Sequence, residues 1–324
     1  MGIKNLNRFI RENCKNHAIK CISVSELSGK KIAVDISIYI YKFVGEDCLI
    51  ENMYLMLSIF KHYNIIPVFV FDGKPPTEKK ELLIKRKNDK KFAENEYNKL
   101  KENLNGNDID DDEKQEIITS MDILKKQFVY IQKEQITMIK EMILSYGMTY
   151  YEAIGEADEL CAMLVLKKVV WACLSEDMDM FVYGCSRVLR YFSLLNHTFV
   201  MYDTKKILDE LGLTQQEFRE ICVLSGTDYN VHCHIETESM NLYKALRLFK
   251  KYHKTEKNIN FYTWLKENDS NNLDYDLLTN VYKMFDLPYH SYETELNSLK
   301  IVNGWIDREK LQSILKRDGF IFPN

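Results

Sequence analysis

The sequence lacks any apolar run close to the roughly 18 residues of a membrane-spanning helix, and its amino terminus lacks the apolar core of a signal peptide. It also lacks CxxC pairs, because its eight cysteines are scattered through the 324 residues and several fall within apolar runs. Reduced core thiols are therefore expected rather than a disulfide framework. These absences predict an intracellular protein, located in the nucleus or the cytoplasm, that has no membrane partner.

The sequence also has no strong excess of charge of one sign. Its formal net charge is −4, and it is 46% hydrophobic and 28% charged, as is usual for a soluble globular protein. The overall charge gives no indication of a nucleic-acid partner, so any contact with a polyanion has to come from a local basic patch.

One such patch lies in residues 74–101, where ten Lys or Arg residues stand against five Asp or Glu residues. Taken alone, this helical pattern is typical of a solvated helix face. The polar, acidic stretch 104–114 follows, for which we predict a mobile excursion, and then a helical pattern over residues 114–146. An insertion of this length predicts a lid or arch, over residues 77–146, above a functional site.

Two acidic pairs flank a helix pattern and a strand pattern in the middle of the chain. Glu156 and Asp158 precede apolar residues at helical spacing, so we expect them to open a helix. Asp177 and Asp179 follow the apolar run 169–174, which is typical of a buried parallel strand. The carboxyl ends of such strands are where α/β sheets bind ligands, so the two pairs are expected to converge there.

Two further strand-like segments end in an aspartate, residues 30–37 with Asp35 and residues 65–72 with Asp72. A single carboxylate at a strand end often only caps a helix, but three such positions in one alternating chain favour a shared metal site. Asp228 follows the end of a later predicted helix. The alternating pattern predicts an α/β fold, with a central, mostly parallel twisted sheet that has helices on both faces.

Seven carboxylates are thus predicted to meet in one region: Asp35, Asp72, Glu156, Asp158, Asp177, Asp179 and Asp228. Packed together without metal they would repel one another strongly. Oxygen ligands without His or Cys suit Mg²⁺ or Mn²⁺ rather than Zn²⁺. Two such ions, about 4 Å apart, would serve the hydrolysis of a phosphodiester.

Six short segments, in this order along the chain, carry a family resemblance: MGI, VDISIYIYKF, VFDGKPP, EAIGEADELCA, SEDMDMFVYG and LSGTDY. They resemble the flap endonuclease family of structure-specific 5′-nucleases, the XPG/Rad2-like enzymes. The resemblance implies a PIN-like nuclease core over residues 1–229, with a helical arch inserted at 77–146. It also implies that residues 230–324 form a helical, DNA-binding region that wraps back on the core.

The resemblance further implies a role for each acid. The implied ligands are Asp72, Glu156 and Asp158 for one metal ion, Asp177 and Asp179 for the other, and Asp35 and Asp228 largely through water. Both ions would be Mg²⁺, which Mn²⁺ can replace. Asp72 and Asp177 are the acids expected to contribute most directly to catalysis. Asp158 stands where many relatives have Glu, so its reach is one methylene shorter.

Four other residues match positions of the family that contact DNA. Lys79 and Arg86 match the catalytic arch bases, and their spacing of seven residues places them on one face of a helix. They would steer the scissile phosphate and stabilise its developing charge. Tyr41 matches a stacking tyrosine, although a core aromatic is an equally open interpretation. Gly2 would let the amino terminus approach the DNA closely.

The chain departs from the family just after LSGTDY. Relatives carry a glycine-rich hairpin there that grips duplex DNA, whereas residues 230–241 read NVHCHIETESMN, without glycine. Either the hairpin is rebuilt or the grip has moved, and the expected replacements are bases of the next helix, Lys244, Arg247, Lys250 and Lys251.

The same region and the carboxyl end raise two further questions. Adjacent residues seldom share a metal, so His232, Cys233 and His234 are interpreted as a surface loop. No sliding-clamp peptide is recognised, because Asp318 and Gly319 stand where two aromatic residues would be needed. The abundance of Ile, Lys, Asn and Tyr fits an AT-rich genome such as that of a large DNA virus, in which case the protein would be found in viral factories.

Together these features predict a Mg²⁺-dependent 5′ nuclease that hydrolyses branched or nicked DNA at flaps, nicks and gaps, and that also degrades DNA from the 5′ end. A junction-resolving or recombination nuclease of the same family is the neighbouring alternative. A metal-dependent glycosyltransferase is an alternative of another class, but it assigns no role to Asp35, Asp72 and Asp228. An inactive DNA-binding scaffold is a further alternative.

Overall fold

The computed structural model describes residues 2–15, 17–104, 111–230, 240–255, 259–268, 273–287, 296 and 299–322. The predictions for residues 105–110 of the acidic excursion, and for residues 231–239 with His232, Cys233 and His234, lie outside the described residues. Within the described ranges, no helix combines the length and the apolar character that crossing a membrane requires.

A seven-stranded sheet forms the centre of the part of the chain that the structure describes. Its strands are β1 (Ile19–Ser23), β2 (Lys31–Asp35), β3 (Ile66–Phe71), β4 (Thr149–Glu152), β5 (Ala172–Leu174), β6 (Arg187–Ser193) and β7 (Thr198–Asp203). Their order across the sheet is β1-β7-β6-β5-β2-β3-β4. The pairs from β6 to β4 are parallel, and β7 is antiparallel to both β6 and β1. The predicted mostly parallel sheet is confirmed.

The order of the strands changes direction at the centre of the sheet. The chain runs outward from β2 to β3 and β4, then crosses back to place β5 on the other side of β2. In open α/β sheets, such a change of direction leaves a crevice beyond the carboxyl ends of the strands, where ligands bind. Asp35 is the last residue of β2, and Asp177 follows β5. The predicted acids therefore lie at the edge where a site is expected.

The helices cover both faces of the sheet. They are α1 (Leu6–Asn13), α2 (Ser37–Gly45), α3 (Leu49–His62), α4 (Lys80–Leu104), α5 (Asp111–Lys125), α6 (Lys133–Ser145), α7 (Ala157–Leu166), α8 (Asp179–Tyr183), α9 (Thr204–Leu211), α10 (Gln215–Ser225), α11 (Leu242–Tyr252), α12 (Phe261–Asn268), α13 (Tyr275–Phe285) and α14 (Arg308–Arg317). Side chains alternate between the two faces along each strand, so Ala33 of β2 packs in one core and Ile32 and Val34 pack in the other.

One strand prediction needs correction, and two strands were missed. The run 169–174 gives a strand only over Ala172–Leu174, because the backbone N–H groups of Val169 and Val170 close the end of α7 on the Leu164 carbonyl. Strands β1 and β4 were not predicted. Both are edge strands, and neither is fully buried, so neither has the continuous apolar run by which the central strands were found.

The arch segment is helical, but its helices differ from the prediction. The helical pattern predicted over 114–146 is divided between two helices, α5 and α6, and a capping box between Gln132 and Gln135 starts α6. Lys79 lies in a short 3₁₀ turn (Thr77–Lys79) after two prolines, and α4 begins one residue later. Lys79 therefore precedes the basic helix instead of lying on it.

The carboxyl-terminal elements pack on the rest of the chain at two places. Helices α11 and α13 contact α10, and their apolar residues join the core on that face of the sheet. Helix α14 packs on α6, and the segment before it is bonded to the core through Lys61, whose ammonium donates to Asn303 Oδ1 at 2.7 Å. The backbone N–H of Asp307 donates to the Ser145 carbonyl at 2.7 Å.

Candidate metal centre

Three aspartates form the closest group at the carboxyl edge of the sheet, and we call them the inner aspartates. Asp158 lies in the first turn of α7, Asp177 in the loop after β5, and Asp179 at the start of α8. Each offers an oxygen, and these oxygens lie within 4.8 Å of one another. All three side chains are buried. Asp158 of the first predicted pair thus lies close to both acids of the second pair.

Burial disfavours the charged form of the inner aspartates, and the nearby charge of Lys79 only partly offsets this. Burial raises the pKa of Asp158 and of Asp179 well above the usual value, and the neighbouring carboxylates Glu156 and Asp177, respectively, add to this. Burial also raises the pKa of Asp177. Asp179 Oδ1 has no hydrogen-bond partner among the described residues. A buried carboxylate oxygen without a partner is costly, and a divalent cation that takes oxygen ligands would satisfy it. The donor set fits Mg²⁺ or Mn²⁺.

Asp35 and Asp72 lie beside this group at the ends of β2 and β3. Asp35 accepts a hydrogen bond from Ser175 Oγ at 2.9 Å, and burial, followed by the charge of Asp72, raises the pKa of Asp35 to about 7. Asp72 accepts from Ser37 Oγ at 2.5 Å and from the backbone N–H of Ala157 at 2.9 Å. It thus ties the start of α2 to the start of α7, which is the capping role that a strand-terminal aspartate often has.

Glu156 and Asp228 differ from the inner aspartates, and we call them the outer acids. Lys79 Nζ lies 2.6 Å from Glu156 Oε1 and 3.7 Å from Asp228 Oδ2. Arg86 Nη2 lies 2.8 Å from Asp228 Oδ2. Burial alone would lower the pKa of Lys79, but the nearby carboxylates, Glu156 first, outweigh it and raise that pKa. Both predicted arch bases therefore meet the acidic cluster directly.

The structure adds a partner for Glu156 that the sequence did not indicate. The Tyr229 hydroxyl donates to Glu156 Oε2 at 2.6 Å, and Lys79 Nζ lies 5.4 Å from the centroid of the Tyr229 ring. Tyr229 follows Asp228 in the LSGTDY segment, so this motif holds both outer acids in place. Asp158, which the resemblance assigns to the same metal ion as Asp72 and Glu156, also lies close to Asp177 and Asp179.

Gly2 lies against the inner aspartates. Its φ is +71°, and a Cβ built there would lie 2.4 Å from Asp177 Oδ1 and 2.4 Å from Asp179 Oδ1. Any larger residue would collide with both carboxylates, so the position requires glycine for space as well as for backbone conformation. The sequence motif MGI thus has a packing reason at the site itself.

Tyr41 is not a core aromatic, since 46% of it is exposed. The ammonium of Lys90, on the arch helix α4, lies 4.8 Å from the centroid of the Tyr41 ring and 5.6 Å from that of Tyr130. Lys90 also donates to the Val129 carbonyl at 2.8 Å. Sequence reasoning missed Lys90 and Tyr130, and only the helical spacing of Lys90 from Arg86 could have suggested the former. Tyr41 therefore faces the arch.

The four bases proposed to grip duplex DNA lie on α11. Arg247, Lys250 and Lys251 are exposed and Lys244 is half-buried, while Leu242, Ala245 and Phe249 bury the opposite side of the helix. The bases are therefore on the solvent side, away from the core.

Two parts of the chain match known domains. Residues 1–93 match the XPG N-terminal domain, and residues 147–228 match the XPG I-region. Flap endonuclease 1 of Glossina morsitans morsitans is 33% identical over 269 residues, which cover 76% of this chain and 67% of that protein. The chain belongs to the XPG/Rad2-like nuclease family. The matched regions contain all seven acids, Lys79 and Arg86.

Other relatives and neighbours are similar over comparable lengths. Flap endonuclease 1-A of Sorghum bicolor is 33% identical over 71% of this chain, which spans 62% of that protein. The probable RAD2-like endonuclease 369L of Invertebrate iridescent virus 6 is 28% identical over 71% of this chain and 67% of its own length.

Solved structures of the family share the fold. The catalytic core of Rad2 in complex with a DNA substrate superposes with a TM-score of 0.68 at 20% identity, covering 98% of this chain and 95% of that one. Human GEN1 in complex with Holliday junction DNA gives a TM-score of 0.58 at 20% identity, covering 98% and 73%.

Proposed function

We propose that the chain is a Mg²⁺-dependent, structure-specific 5′ nuclease that hydrolyses phosphodiesters in branched or nicked DNA during replication, repair or recombination. The observation that carries this proposal is the pairing of two features at one sheet edge. The inner aspartates present a partnerless buried oxygen to a cation, and the arch bases Lys79 and Arg86 lie beside them. Membership of the XPG/Rad2-like family supports the same reaction.

The inner aspartates would hold the metal ions, with Asp35 and Asp72 close by. When bound, the two ions would activate the attacking water and offset the charge that develops on the phosphate. The protein's own part is to fix the acids at the ends of β2, β3 and β5, so that the ions meet a rigid site. Asp72 contributes by bonding the starts of α2 and α7.

Lys79 and Arg86 would bind the scissile phosphate. Without DNA they pair with the outer acids, so the phosphate has to compete with Glu156 and Asp228 for the same cations. This arrangement holds both bases near the site before the substrate arrives, which lowers the cost of ordering two long side chains. Their charge would then stabilise the transition state.

The duplex would be held outside the metal centre. We assign residues 1–229 to the nuclease core and 230–324 to a helical region that contacts duplex phosphates through α11. The exposed bases Arg247, Lys250 and Lys251 support this assignment, as does the packing of α11 and α13 on α10. Tyr41, close to the arch, would stack on a base near the cut.

A cleavage assay tests the proposal. Purified protein should cut a 5′-labelled flap in Mg²⁺ and be inactive in EDTA, and Asp177→Ala should remove the activity. Flap, nicked, gapped and four-way substrates, compared in one assay, separate a flap nuclease from a junction-resolving enzyme. Absence of cleavage on every branched substrate, in a folded protein with Mg²⁺ bound, would contradict the proposal.

A further inference from the structure

A cavity of about 260 Å³ lies between α2 and β6, beside the metal centre. It is lined by Ile38, Tyr39, Lys42, Glu176, Tyr191 and Phe192. Glu176 immediately precedes Asp177, so one residue of the cavity wall adjoins an inner aspartate along the chain. None of the roles described above for the acids or the arch bases uses this cavity.

Tyr191 is held in an unusual conformation at this cavity. Its φ is +53°, and it lies where the pairing of β6 with β7 shifts register between Arg190 and Ser193, as at a β-bulge. Bulges beside active sites commonly re-aim one side chain, and a bulky residue with positive φ persists only when its surroundings impose it. The strain at Tyr191 therefore points to a function for its side chain.

Several contacts impose this conformation. The backbone N–H of Tyr191 donates to Glu176 Oε1, and Asn7 Nδ2 donates to the Tyr191 hydroxyl at 2.9 Å. The guanidinium groups of Arg190 and Arg11 lie 4.9 and 5.8 Å from the ring centroid. The ring is nevertheless 41% exposed. A fixed, exposed aromatic ring with two cations beside it suits a planar group attached to phosphate.

Tyr39 forms part of the cavity wall, but its hydroxyl is closed off from solvent. It is only 3% exposed, yet its hydroxyl has no hydrogen-bond partner among the described residues. A buried hydroxyl without a partner costs free energy that a bound polar group would recover. The cavity therefore has mainly apolar walls, with one partnerless hydroxyl closed off behind them. It is smaller than most pockets for drug-sized ligands, which begin at about 300 Å³.

We propose that this cavity, the base pocket, binds one unpaired nucleobase of the DNA next to the cleaved bond. The base stacks on Tyr191, and a turn of the Tyr39 side chain brings its hydroxyl into hydrogen-bond contact with the base. Lys42 and Arg11 meet the neighbouring phosphates. The charge of Glu176 does not oppose this, because Arg190 Nε lies 3.3 Å from it. The inference rests on the proposed function, since it takes DNA as the substrate.

A cycle of changes in both protein and DNA tests the base pocket. The affinity for flap DNA is measured by fluorescence anisotropy in Ca²⁺, in place of Mg²⁺, with intact DNA and with DNA that carries an abasic residue at each nucleotide flanking the cut. At one position, loss of the base should weaken binding to the wild type about tenfold. Tyr191→Ala should weaken binding to intact DNA by a similar factor. The affinity of Tyr191→Ala for the abasic DNA should be no lower than the affinity measured with either change alone.

Three variants control this experiment. Tyr191→Phe keeps the ring and should retain the dependence on the base. Tyr39→Phe removes only the partnerless hydroxyl, so it should raise the melting temperature of the free protein, or at least not lower it. It should weaken binding to base-containing DNA about threefold and binding to abasic DNA not at all. Tyr130→Ala removes another exposed tyrosine, which lies on the arch. The factors by which Tyr130→Ala and removal of the base weaken binding should multiply at this position.

The outcomes separate the two proposals. If the losses of affinity from Tyr191→Ala and from removal of the base multiply at every position, the proposal of the base pocket is wrong, even if the protein cuts flaps. If the wild type binds and cuts no branched DNA in Mg²⁺, the proposed function is wrong.

Discussion

The inner aspartates and the outer acids lie at the same edge of the sheet, but only the outer acids form ion pairs among the described residues. Among the described residues, the inner aspartates form no ion pair, and burial raises the pKa of each. Glu156 and Asp228 are instead matched by Lys79 and Arg86. We therefore propose that the inner aspartates bind the metal ions, whereas Glu156 and Asp228 hold the arch bases Lys79 and Arg86.

Breaking the inner group should have the largest effect. We expect Asp179→Asn to lower flap cleavage in Mg²⁺ by about a thousandfold, because it removes a metal ligand and the charge stabilisation that the metal gives. The same change should raise the melting temperature of the metal-free protein, since it relieves repulsion between buried carboxylates. Cleavage rates and thermal unfolding in EDTA measure the two effects. Equal losses of activity in Asp179→Asn and Glu156→Gln would remove the distinction between the groups.

Breaking the outer group should affect stability more. Lys79→Met leaves Glu156 without its cation, and we expect a loss of about 2 kcal/mol in the free energy of unfolding, since both side chains are largely buried. Arg86→Gln is the matched control, because the Arg86 side chain is 40% exposed and its pair with Asp228 should contribute less than about 1 kcal/mol. Urea unfolding in EDTA compares them. A larger loss of unfolding free energy in Arg86→Gln than in Lys79→Met would contradict the greater contribution assigned to the Lys79–Glu156 pair.

The pH dependence of the metal-free protein should report the repulsion among the acids. Burial, followed by Asp72, raises the pKa of Asp35 to about 7, so the folded protein holds this proton more tightly than the unfolded chain does. The stability contribution of Asp35 should therefore fall as pH rises from about 4 to about 7 and stay low above that. Asp35→Asn should match the wild type in EDTA near pH 4 and exceed it in melting temperature near pH 8. Equal melting temperatures of Asp35→Asn and the wild type near pH 8 would contradict the raised pKa of Asp35.

The smallest expected effect concerns the contact between the arch and α2. Lys90→Met should remove the attraction of the ammonium for the rings of Tyr41 and Tyr130, which is worth about 0.5–1 kcal/mol at such exposed sites. We expect a small loss in the free energy of unfolding, measured with urea, and only a few-fold change in the rate of flap cleavage. Lys85→Met, at an exposed position on the same helix, is the control. A loss as large as that of Lys79→Met would mean that Lys90 belongs with the outer group.

Much of this arrangement could be predicted from the sequence, because the central strands have a recognisable apolar pattern. Strands β2 and β3 are continuous apolar runs that end at or just before an aspartate, so the acids and their common edge follow directly. The edge strands β1 and β4 lack that pattern, and they were missed. The helical break after Lys125 depends on a capping box whose partners, Gln132 and Gln135, are less usual than Ser or Thr with Glu.

The division of the acids could not be predicted. Seven carboxylates are alike in sequence, and only tertiary contacts with Lys79, Arg86 and Tyr229 separate the outer pair from the rest. The base pocket was also out of reach, because a β-bulge and a positive φ at Tyr191 arise from pairing across β6 and β7. Sequence patterns identify which residues carry chemistry, whereas packing decides which of them act together.

The most direct test of the account is a crystal structure of the protein soaked in Mn²⁺ without DNA, with the anomalous signal used to locate the ions. The account predicts Mn²⁺ bound directly to oxygens of Asp158, Asp177 and Asp179, with Lys79 and Arg86 still paired with Glu156 and Asp228. Saturating Mn²⁺ that leaves the inner aspartates empty, or that binds at the outer acids and displaces Lys79, would contradict it.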